Sequence, residues 1–504
     1  MFRISARRAA AVVIAFVALV GAHALSVPAS AQQSAAASAE APDLELATAI
    51  QGILASPGVS RATWGVEVRS LANGQSLFSH NQRALLVPAS VAKLASLAAA
   101  VDAVGWDFTF ETPVRATGPV VDGVLQGDLV VQGSGDPIIG GRGGQGFASW
   151  VEALKAIGVT RIDGRIIGDD DAFDDPRPGA MWAWDDLGYQ SGALFGALNY
   201  AENSMVVTVA PGDAAGAPAV LTPERDAVDR PLISRAVTGV RGSDAFLWPE
   251  QRPGETALTI AGSLPVRARP VVMRVSAGDP TRRFVSVLRL ELIRSGIEVT
   301  GAAIDIDDIT PKPATAAARV LFVHRSPPLR EIAQPLLKQS INLYAEAVFR
   351  MATGPTGGRT NDDALAALKG RLTAWGLPAD GLQVVDASGL SRRDGMAAET
   401  LVAILARMFD PSGTSPWMTG LPIAGRDGSL DNRLRGTAAE NRLRAKTGTM
   451  SNIRSLAGYV TTRENESLAF AIIVNNFEGT GREAQAAIDA IAVRLAEFSR
   501  SAAR

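Results

Sequence analysis

The middle of the chain differs in texture from its two ends, and this difference constrains the fold more than any other feature. Up to about residue 104, and again from about residue 320, the sequence is apolar and patterned for helices and strands. Between these parts, short strand-like segments alternate with loops rich in Gly, Pro and Asp, and residues 133–146 are very rich in glycine. We therefore predict that the two ends form one domain, interrupted by a large insertion.

Local patterns at both ends indicate a sheet covered by helices. Residues 63–70 alternate as a strand with Trp64, Val66 and Val68 on one face, an Asn-Gly turn follows, and residues 76–80 return. This pattern predicts an α+β fold with an antiparallel sheet flanked by helices. Two further strands are predicted at 456–461 and 467–475, and helices at 44–55, 90–104, 147–157, 281–295 and 483–498.

The same reading gives a domain division. It consists of a signal peptide at 1–31, a main domain made of 32–104 and 318–504, an inserted domain made of 105–203 and 276–317, and a small β domain nested within it at 204–275.

The first 31 residues have the three parts of a secretory signal peptide. Three arginines precede an apolar run at residues 9–20, and Ala29-Ser30-Ala31 supplies the small residues of a cleavage site after Ala31. An uncleaved membrane anchor is the alternative, although the run is shorter than the about 20 residues that a span needs. We expect an exported, periplasmic protein with no integral membrane segment after cleavage.

Composition excludes several classes of function. The 504 residues include no cysteine, which excludes disulfides, thiolate metal sites and a cysteine nucleophile. The chain has only three histidines, and we expect His80 and His324 to be structural. A net charge of −2 offers no basic stripe for nucleic acid. We therefore predict no metal, no cofactor and no nucleic-acid partner.

Ser90 and Lys93 form the first candidate catalytic pair. Pro88 breaks the preceding structure, and the spacing of three places both side chains on one face of the predicted helix. Helix N–H groups favour negative charge near the serine, and apolar surroundings lower the pKa of the lysine from about 10.4. A neutral lysine beside a serine can act as its general base. The alternative is a helix-capping serine with a solvated lysine.

Two further short motifs lie in the C-terminal part. Ser340-Ile341-Asn342 follows an apolar helical stretch, but Ser-x-Asn is a common pattern and Ser79-His80-Asn81 also fits it. Lys446-Thr447-Gly448, followed by Thr449, is much rarer by chance and is predicted at the start of a strand. Glycine on a strand edge lets a substrate backbone pair closely, while lysine and threonine hold its carboxylate.

In this order, the three motifs resemble the signature of penicillin-binding proteins and serine β-lactamases. The wider sequence resembles the D-alanyl-D-alanine carboxypeptidase/endopeptidase family, the class C low-molecular-mass penicillin-binding proteins or S13 serine peptidases. In that family a long interval between the first two motifs, here Ser90 to Ser340, holds an inserted domain with another nested inside it. The segments that carry the resemblance are 88–94, 127–130, 182–186, 340–346, 386–391, 421–425 and 444–449.

The resemblance implies a role for each motif residue. Ser90 is expected to be the acylated nucleophile and Lys93 its proton acceptor, with oxyanion contacts from the backbone N–H groups of Ser90 and Thr449. Ser340 is expected to pass a proton to the leaving group, and Lys446 is expected to anchor Ser340 electrostatically. The expected catalytic residues are Ser90, Lys93, Ser340, Asn342 and Lys446, and the expected substrate-binding residues are Thr447, Gly448, Thr449 and Arg392.

Some residues depart from the family pattern or stand apart from it. Ile341 replaces a more usual polar residue and Ala387 a usual glycine, but neither change removes a reacting group. Residues 169–171, three aspartates, are expected to form a solvated turn, with a cation or the free amine of a diaminopimelate side chain as alternative ligands. Trp182 and Trp184 are expected to pack between domains.

The resemblance implies a serine D-Ala-D-Ala carboxypeptidase and DD-endopeptidase that needs no cofactor. Its expected partners are peptidoglycan stem peptides, their cross-links and β-lactam antibiotics, with penicillin as an inhibitor. A β-lactamase or esterase on the same fold is one alternative, and a non-catalytic peptidoglycan-binding protein is another.

Overall fold

The computed structural model describes residues 40–174, 178–179, 181–224, 230–252 and 254–500. The predicted signal peptide, with its cleavage site, lies outside these residues. In the part of the chain that is described, no helix has both the length and the apolar character needed to cross a membrane.

A five-stranded antiparallel sheet, called here the main sheet, joins the start of the chain to its end. Its neighbouring strands are, in spatial order, Ser76–His80, Thr63–Ser70, Ser467–Asn475, Ile453–Thr461 and Leu443–Met450. Three of these strands have the predicted bounds, namely those at 63–70, 76–80 and 467–475. The strand predicted at 456–461 begins three residues earlier, at Ile453. The predicted antiparallel sheet is therefore confirmed.

Both faces of the main sheet are buried. Because successive side chains point to opposite sides of a strand, each strand contributes residues to two cores. Ile472 and Val474 pack with Trp64 and Val66 against one helical layer, which includes the first and last helices. Ala469, Ala471 and Ile473 belong to the opposite core with the helix that follows Ser90. Strands covered on both faces explain why this sequence is almost continuously apolar.

The α-helices lie near the predicted positions, and several have clear start signals. Thr480 and Glu483 form a capping box, and Asp279 caps a helix that begins with Pro280. The helices are Glu40–Leu54, Lys93–Val104, Ala148–Ala156, Pro280–Arg294, Leu329–Lys338, Asn342–Phe349, Asn361–Ala374, Ala398–Met408, Pro416–Gly420 and Gly481–Glu497.

The interval between the first two motifs contains its own sheets and cores. One sheet has the order Ala303–Asp305, Ile166–Asp169, Leu129–Gln132, Glu111–Ala116 and Arg319–Arg325, and another the order Glu298–Val299, Arg161–Ile162, Val124–Leu125 and Val120–Val121. A core of apolar side chains packs between these strands and the helices Ala148–Ala156 and Pro280–Arg294.

Two three-stranded sheets lie within residues 204–276 and share a separate small core. Their strand orders are Val220–Pro223, Ser204–Ala210, Val271–Ser276 and Leu232–Gly239, Leu258–Pro265, Phe246–Glu250. A further short pair, Leu382–Gln383 with Gly395–Met396, lies in the C-terminal part.

Two local predictions differ from the structure. Residues Ala89–Ala92 form a 3₁₀ turn, so the α-helix begins at Lys93 instead of Ser90. The Lys446-Thr447-Gly448 motif lies in the middle of the strand Leu443–Met450 and not at its start. Residues 443–445 extend the strand ahead of the motif, where they pair with residues 458–460 of the neighbouring strand.

Candidate active site

The chain before Ser90 is fastened to the main sheet by two polar side chains. Asn475 accepts a hydrogen bond from the N–H of Val87 at 2.8 Å and donates to its carbonyl at 3.1 Å. Ser455 donates its hydroxyl to the carbonyl of Pro88 at 2.6 Å. These contacts fix the 3₁₀ turn against the sheet and thereby fix the position of Ser90.

The amine of Lys93 lies at the centre of the site and is completely buried. Its Nζ lies 2.7 Å from Ser90 Oγ, 2.7 Å from Asn342 Oδ1 and 2.8 Å from the carbonyl oxygen of Ser388. The Asn342 amide is oriented because its Nδ2 donates to the carbonyl of Ser191 at 2.8 Å. The Asn342 and Ser388 oxygens only accept hydrogen bonds. A neutral amine gives them its two N–H groups and keeps its lone pair for the Ser90 hydroxyl.

Burial favours the neutral form of both lysines in the site. Desolvation lowers the pKa of Lys93 to about 7, although the carboxylates of Asp386 and Glu346 oppose the change. Burial, and secondarily the charge of Lys93, hold the pKa of Lys446 well below its usual range. Lys93 thus gains and loses a proton near neutral pH, as a general base should.

Ser340 and Lys446 form a second hydroxyl–amine pair. Ser340 lies between the helices Leu329–Lys338 and Asn342–Phe349 with a left-handed backbone, φ 62°. The Nζ of Lys446 donates to Ser340 Oγ at 2.7 Å and to the carbonyl of Thr447 at 2.8 Å. The break between the helices brings the Ser340 hydroxyl to the edge of the main sheet.

Gly448 lets the edge strand of the main sheet pass close to the Ser90 turn. A Cβ built at this position would lie 2.9 Å from the carbonyl oxygen of Pro88 and 3.1 Å from the Cβ of Ala89, and would overlap the hydroxyl of Ser455. Only glycine fits, because the first two of these groups cannot move without moving the turn itself.

The remaining sequence-predicted residues lie along the same strand or near its end. The Thr447 hydroxyl donates to Ser429 Oγ at 2.7 Å, and Thr449 is exposed on the outer edge. Arg392 is exposed and donates a long hydrogen bond of 3.4 Å to the carbonyl of Ser451. Arg392 thus lies beside the end of the strand Leu443–Met450. The residues in direct contact at the centre of the site are Ser90, Lys93 and Asn342.

Sequence reasoning missed the role of Glu346. This carboxylate is completely buried and accepts the backbone N–H groups of Ala387, at 3.1 Å, and Ser388, at 2.9 Å. Burial and the neighbouring Asp386 raise its pKa to about 7. Glu346 follows Asn342 by four residues on one helix, so a helical face shared with a motif residue was the available signal.

Asp386 extends this buried network toward the inserted segment. Its carboxylate accepts the N–H groups of Gly389 and Ser391 and the indole N–H of Trp182, the last at 2.7 Å. Burial, followed by the charge of Asp386, raises the pKa of Asp394 to about 10. Trp182 therefore ties the segment before Ser191 to the network behind Lys93.

Two expectations about neighbouring residues were wrong in part. Trp182 is buried as expected, but the Trp184 side chain is exposed and packs only partly. The expected solvated turn at 169–171 is also incorrect, since Asp169 and Asp170 are buried and accept hydrogen bonds from Thr315 and Thr281. Asp171 alone is exposed.

Comparison with known proteins agrees with this arrangement. A curated D-alanyl-D-alanine carboxypeptidase from Actinomadura sp. (strain R39) is 35% identical over 90% of this chain and 85% of its own length. D-alanyl-D-alanine carboxypeptidase DacB from Haemophilus influenzae is 24% identical over 82% of this chain and 85% of its own. The crystal structure of penicillin binding protein 4 (dacB) from H. influenzae has the same fold, with a TM-score of 0.77 and 22% identity over 88% of this chain and 98% of that chain.

The fold and the serine–lysine site define a penicillin-binding serine peptidase. Residues 46–497 match the D-Ala-D-Ala carboxypeptidase 3 (S13) family, and the chain belongs to that family. The resemblance seen in the motifs is thereby confirmed, as are the fold class and the hydrolase class.

Proposed function

We propose that this peptidase cleaves the D-Ala-D-Ala bond of peptidoglycan peptides through an acyl-enzyme on Ser90. The observation that carries the proposal is the position of Lys93 Nζ, 2.7 Å from Ser90 Oγ, with its other two partners being the acceptor oxygens of Asn342 and Ser388. A relative named for D-alanyl-D-alanine carboxypeptidase activity at 35% identity supports the substrate class.

The chemistry proceeds in two halves. Lys93 takes the proton of Ser90 while Oγ attacks the carbonyl of the penultimate D-alanine, and the oxyanion is held by the backbone N–H groups of Ser90 and Thr449. The proton that Lys93 has taken is passed through Ser340, beside Lys446, to the leaving amine, so D-alanine departs and Lys93 is neutral again. Water then attacks the ester while Lys93 takes its proton. That proton returns to Ser90 Oγ as the ester bond breaks and the shortened peptide leaves.

The same cleft serves cross-linked peptides and β-lactams. A cross-link ending in a D-amino acid replaces the terminal D-alanine as leaving group, which gives endopeptidase activity. Thr447, Gly448 and Thr449 hold the substrate along the strand edge, and Arg392 contacts its far side. A β-lactam acylates Ser90 and remains bound, in keeping with the H. influenzae penicillin binding protein 4 structure that contains a β-lactam.

The location and domain division are part of this proposal. The basic, apolar and small-residue pattern at 1–31 supports export to the periplasm with cleavage after Ala31. The separate cores support an inserted domain with a nested β domain at 204–275. Because the strand Arg319–Arg325 pairs with Glu111–Ala116, we place the end of the insertion near residue 326.

A product assay on purified muropeptides tests the proposed activity. We expect free D-alanine from pentapeptide monomers and monomers from cross-linked dimers, separated by chromatography, and neither from Ser90→Ala. Rapid turnover of penicillin without either peptide product would contradict the proposal and indicate a β-lactamase. Binding of muropeptides without any cleavage would indicate a non-catalytic protein. N-terminal sequencing of the mature chain tests the cleavage site.

A further inference from the structure

A cavity of about 600 Å³ is lined by residues of the nested β domain and its flanks and by Leu187 and Leu194, which lie on either side of Ser191 in the sequence. This volume is in the range of small-molecule sites in proteins. Its lining includes the apolar residues Pro178, Leu187 and Leu194. The lining also includes residues 276–278 and Arg230.

Arg230 is the unusual member of this lining. Its side chain is 9% exposed, and its Nη1 donates to the carbonyl of Ser276 at 2.7 Å and to the hydroxyl of the same residue at 3.1 Å. Its Nε is buried and has no acceptor among the residues that the structure describes. Within those residues Arg230 also forms no ion pair, although buried arginines are normally paired with carboxylates.

The charge of Arg230 persists at neutral pH. Burial lowers the pKa of its guanidinium to about 10, which still leaves it protonated. Asp279, an acidic residue of the cavity lining, is engaged elsewhere, since it pairs with Arg282 at 3.5 Å and accepts the backbone N–H of Arg282 at 2.9 Å. Glu255 and Arg252, also in the lining, are both exposed and carry opposite charges. Among the residues that the structure describes, Arg230 is therefore a buried, charged member of the lining that forms no ion pair.

We propose that this cavity binds a small organic carboxylate, whose anionic end pairs with Arg230 and whose apolar body packs on Pro178, Leu187 and Leu194. A single buried guanidinium that forms no ion pair among the described residues matches a monoanion. The apolar lining residues favour a ligand with a hydrocarbon or aromatic part over inorganic phosphate, which would need more donors and more positive charge. The proposal does not depend on the reaction catalysed at Ser90.

The position of the cavity connects it to the candidate active site. The segment between Leu187 and Leu194 includes Ser191, whose carbonyl orients the Asn342 amide. Ser276, which accepts hydrogen bonds from Arg230, also donates its backbone N–H to the carbonyl of Gly188 at 3.0 Å. A bound carboxylate therefore lies against the segment that supports Asn342.

Calorimetric titration of the full chain with 1-naphthoate tests the proposal. The cleft at Ser90 is filled beforehand by acylation with benzylpenicillin, and the free penicillin, which is itself an aromatic carboxylate, is removed before the titration. We expect one site for 1-naphthoate. Binding should be at least about tenfold weaker for the neutral 1-naphthamide, which loses the charge-assisted contact, and for acetate and inorganic phosphate, which lose the apolar contact. Arg230→Met should weaken 1-naphthoate binding by a similar factor, whereas Arg230→Lys should retain part of the preference over the amide.

The matched control is Arg269→Met, which removes an exposed arginine outside the cavity and should leave binding unchanged. Equal binding of 1-naphthoate and 1-naphthamide would overturn the proposal, as would unchanged binding in Arg230→Met or the absence of any 1-naphthoate site. Equal binding of inorganic phosphate would overturn the part played by the apolar lining residues. If Arg230→Met does not fold, the comparison of naphthoate with naphthamide on the unsubstituted chain still decides.

Discussion

The Glu346 carboxylate accepts the backbone N–H of Ser388 at 2.9 Å, and the carbonyl of Ser388 accepts a hydrogen bond from Lys93 at 2.8 Å. One peptide segment thus links a buried acid to the proposed base. Glu346 does not reach Ser90 itself, so we regard it as a positioning residue. Its charge also opposes the effect of burial on the pKa of Lys93.

Replacing Glu346 should slow acylation by disturbing this segment. Glu346→Ala leaves two buried N–H groups without an acceptor, and each such loss commonly costs about 1–3 kcal/mol. We expect the rate constant for acylation by benzylpenicillin to fall at least about tenfold. Glu346→Gln keeps an acceptor oxygen and should recover part of the rate, with the acidic limb of its pH profile shifted to lower pH.

The measurement is a time course of intact mass at several pH values. Glu152→Ala, which removes an exposed glutamate on the helix Ala148–Ala156, is the matched control. An unchanged rate in Glu346→Ala, or identical pH profiles for Glu346→Gln and the unsubstituted protein, would show that the buried acid does not act through Lys93.

Acylation should increase with pH through the pKa of Lys93. The base must be neutral to accept the Ser90 proton, and burial lowers its pKa to about 7. Below that pH the rate constant should fall about tenfold per unit, and above it the rate should level off. A rate that is flat between about pH 5 and 9 is incompatible with this role for Lys93.

Gly448→Ala should block the site without unfolding the protein globally. The added methyl group would press on the Pro88 carbonyl, 2.9 Å away, and displace the turn that carries Ser90. We expect acylation to fall by about two orders of magnitude, the size of effect seen when an active-site contact is displaced. Gly370→Ala is the control, because nothing lies within 4 Å of that position and alanine favours a helix. Normal acylation by Gly448→Ala would refute the close approach of strand and turn.

Trp182 and Trp184 form a natural pair for a stability test. Trp182→Phe removes the indole N–H that donates to Asp386 at 2.7 Å and leaves a buried carboxylate short of one donor. The free energy of unfolding in urea should fall by about 1.5–3 kcal/mol. Trp184→Phe alters an exposed side chain and should change it by less than about 0.5 kcal/mol. Equal losses in the two variants would contradict the role assigned to the Asp386 contact.

Local sequence patterns predicted most of the main sheet but little of the buried polar network. The Asn-Gly turn and the alternation of Trp64, Val66 and Val68 specify a hairpin from neighbouring residues alone. The burial of Glu346 and Asp386 could not be predicted in this way, because charged residues are normally exposed and these two are buried by segments distant in sequence. The motifs predicted that Ser90, Lys93, Ser340, Asn342 and Lys446 form one site. They did not predict the 3₁₀ turn at Ser90, because that turn is held by contacts with the distant residues Asn475 and Ser455.

The central claim is that Lys93 activates Ser90 for attack on a carbonyl. Its most direct test is the intact mass of the protein after incubation with benzylpenicillin, followed by peptide mapping of the adduct. We predict a gain of one penicilloyl group on Ser90, no gain in Ser90→Ala, a strongly slowed gain in Lys93→Met and a normal gain in Lys369→Met, whose lysine is exposed. An adduct on any other residue, or an unchanged rate in Lys93→Met, would contradict the claim.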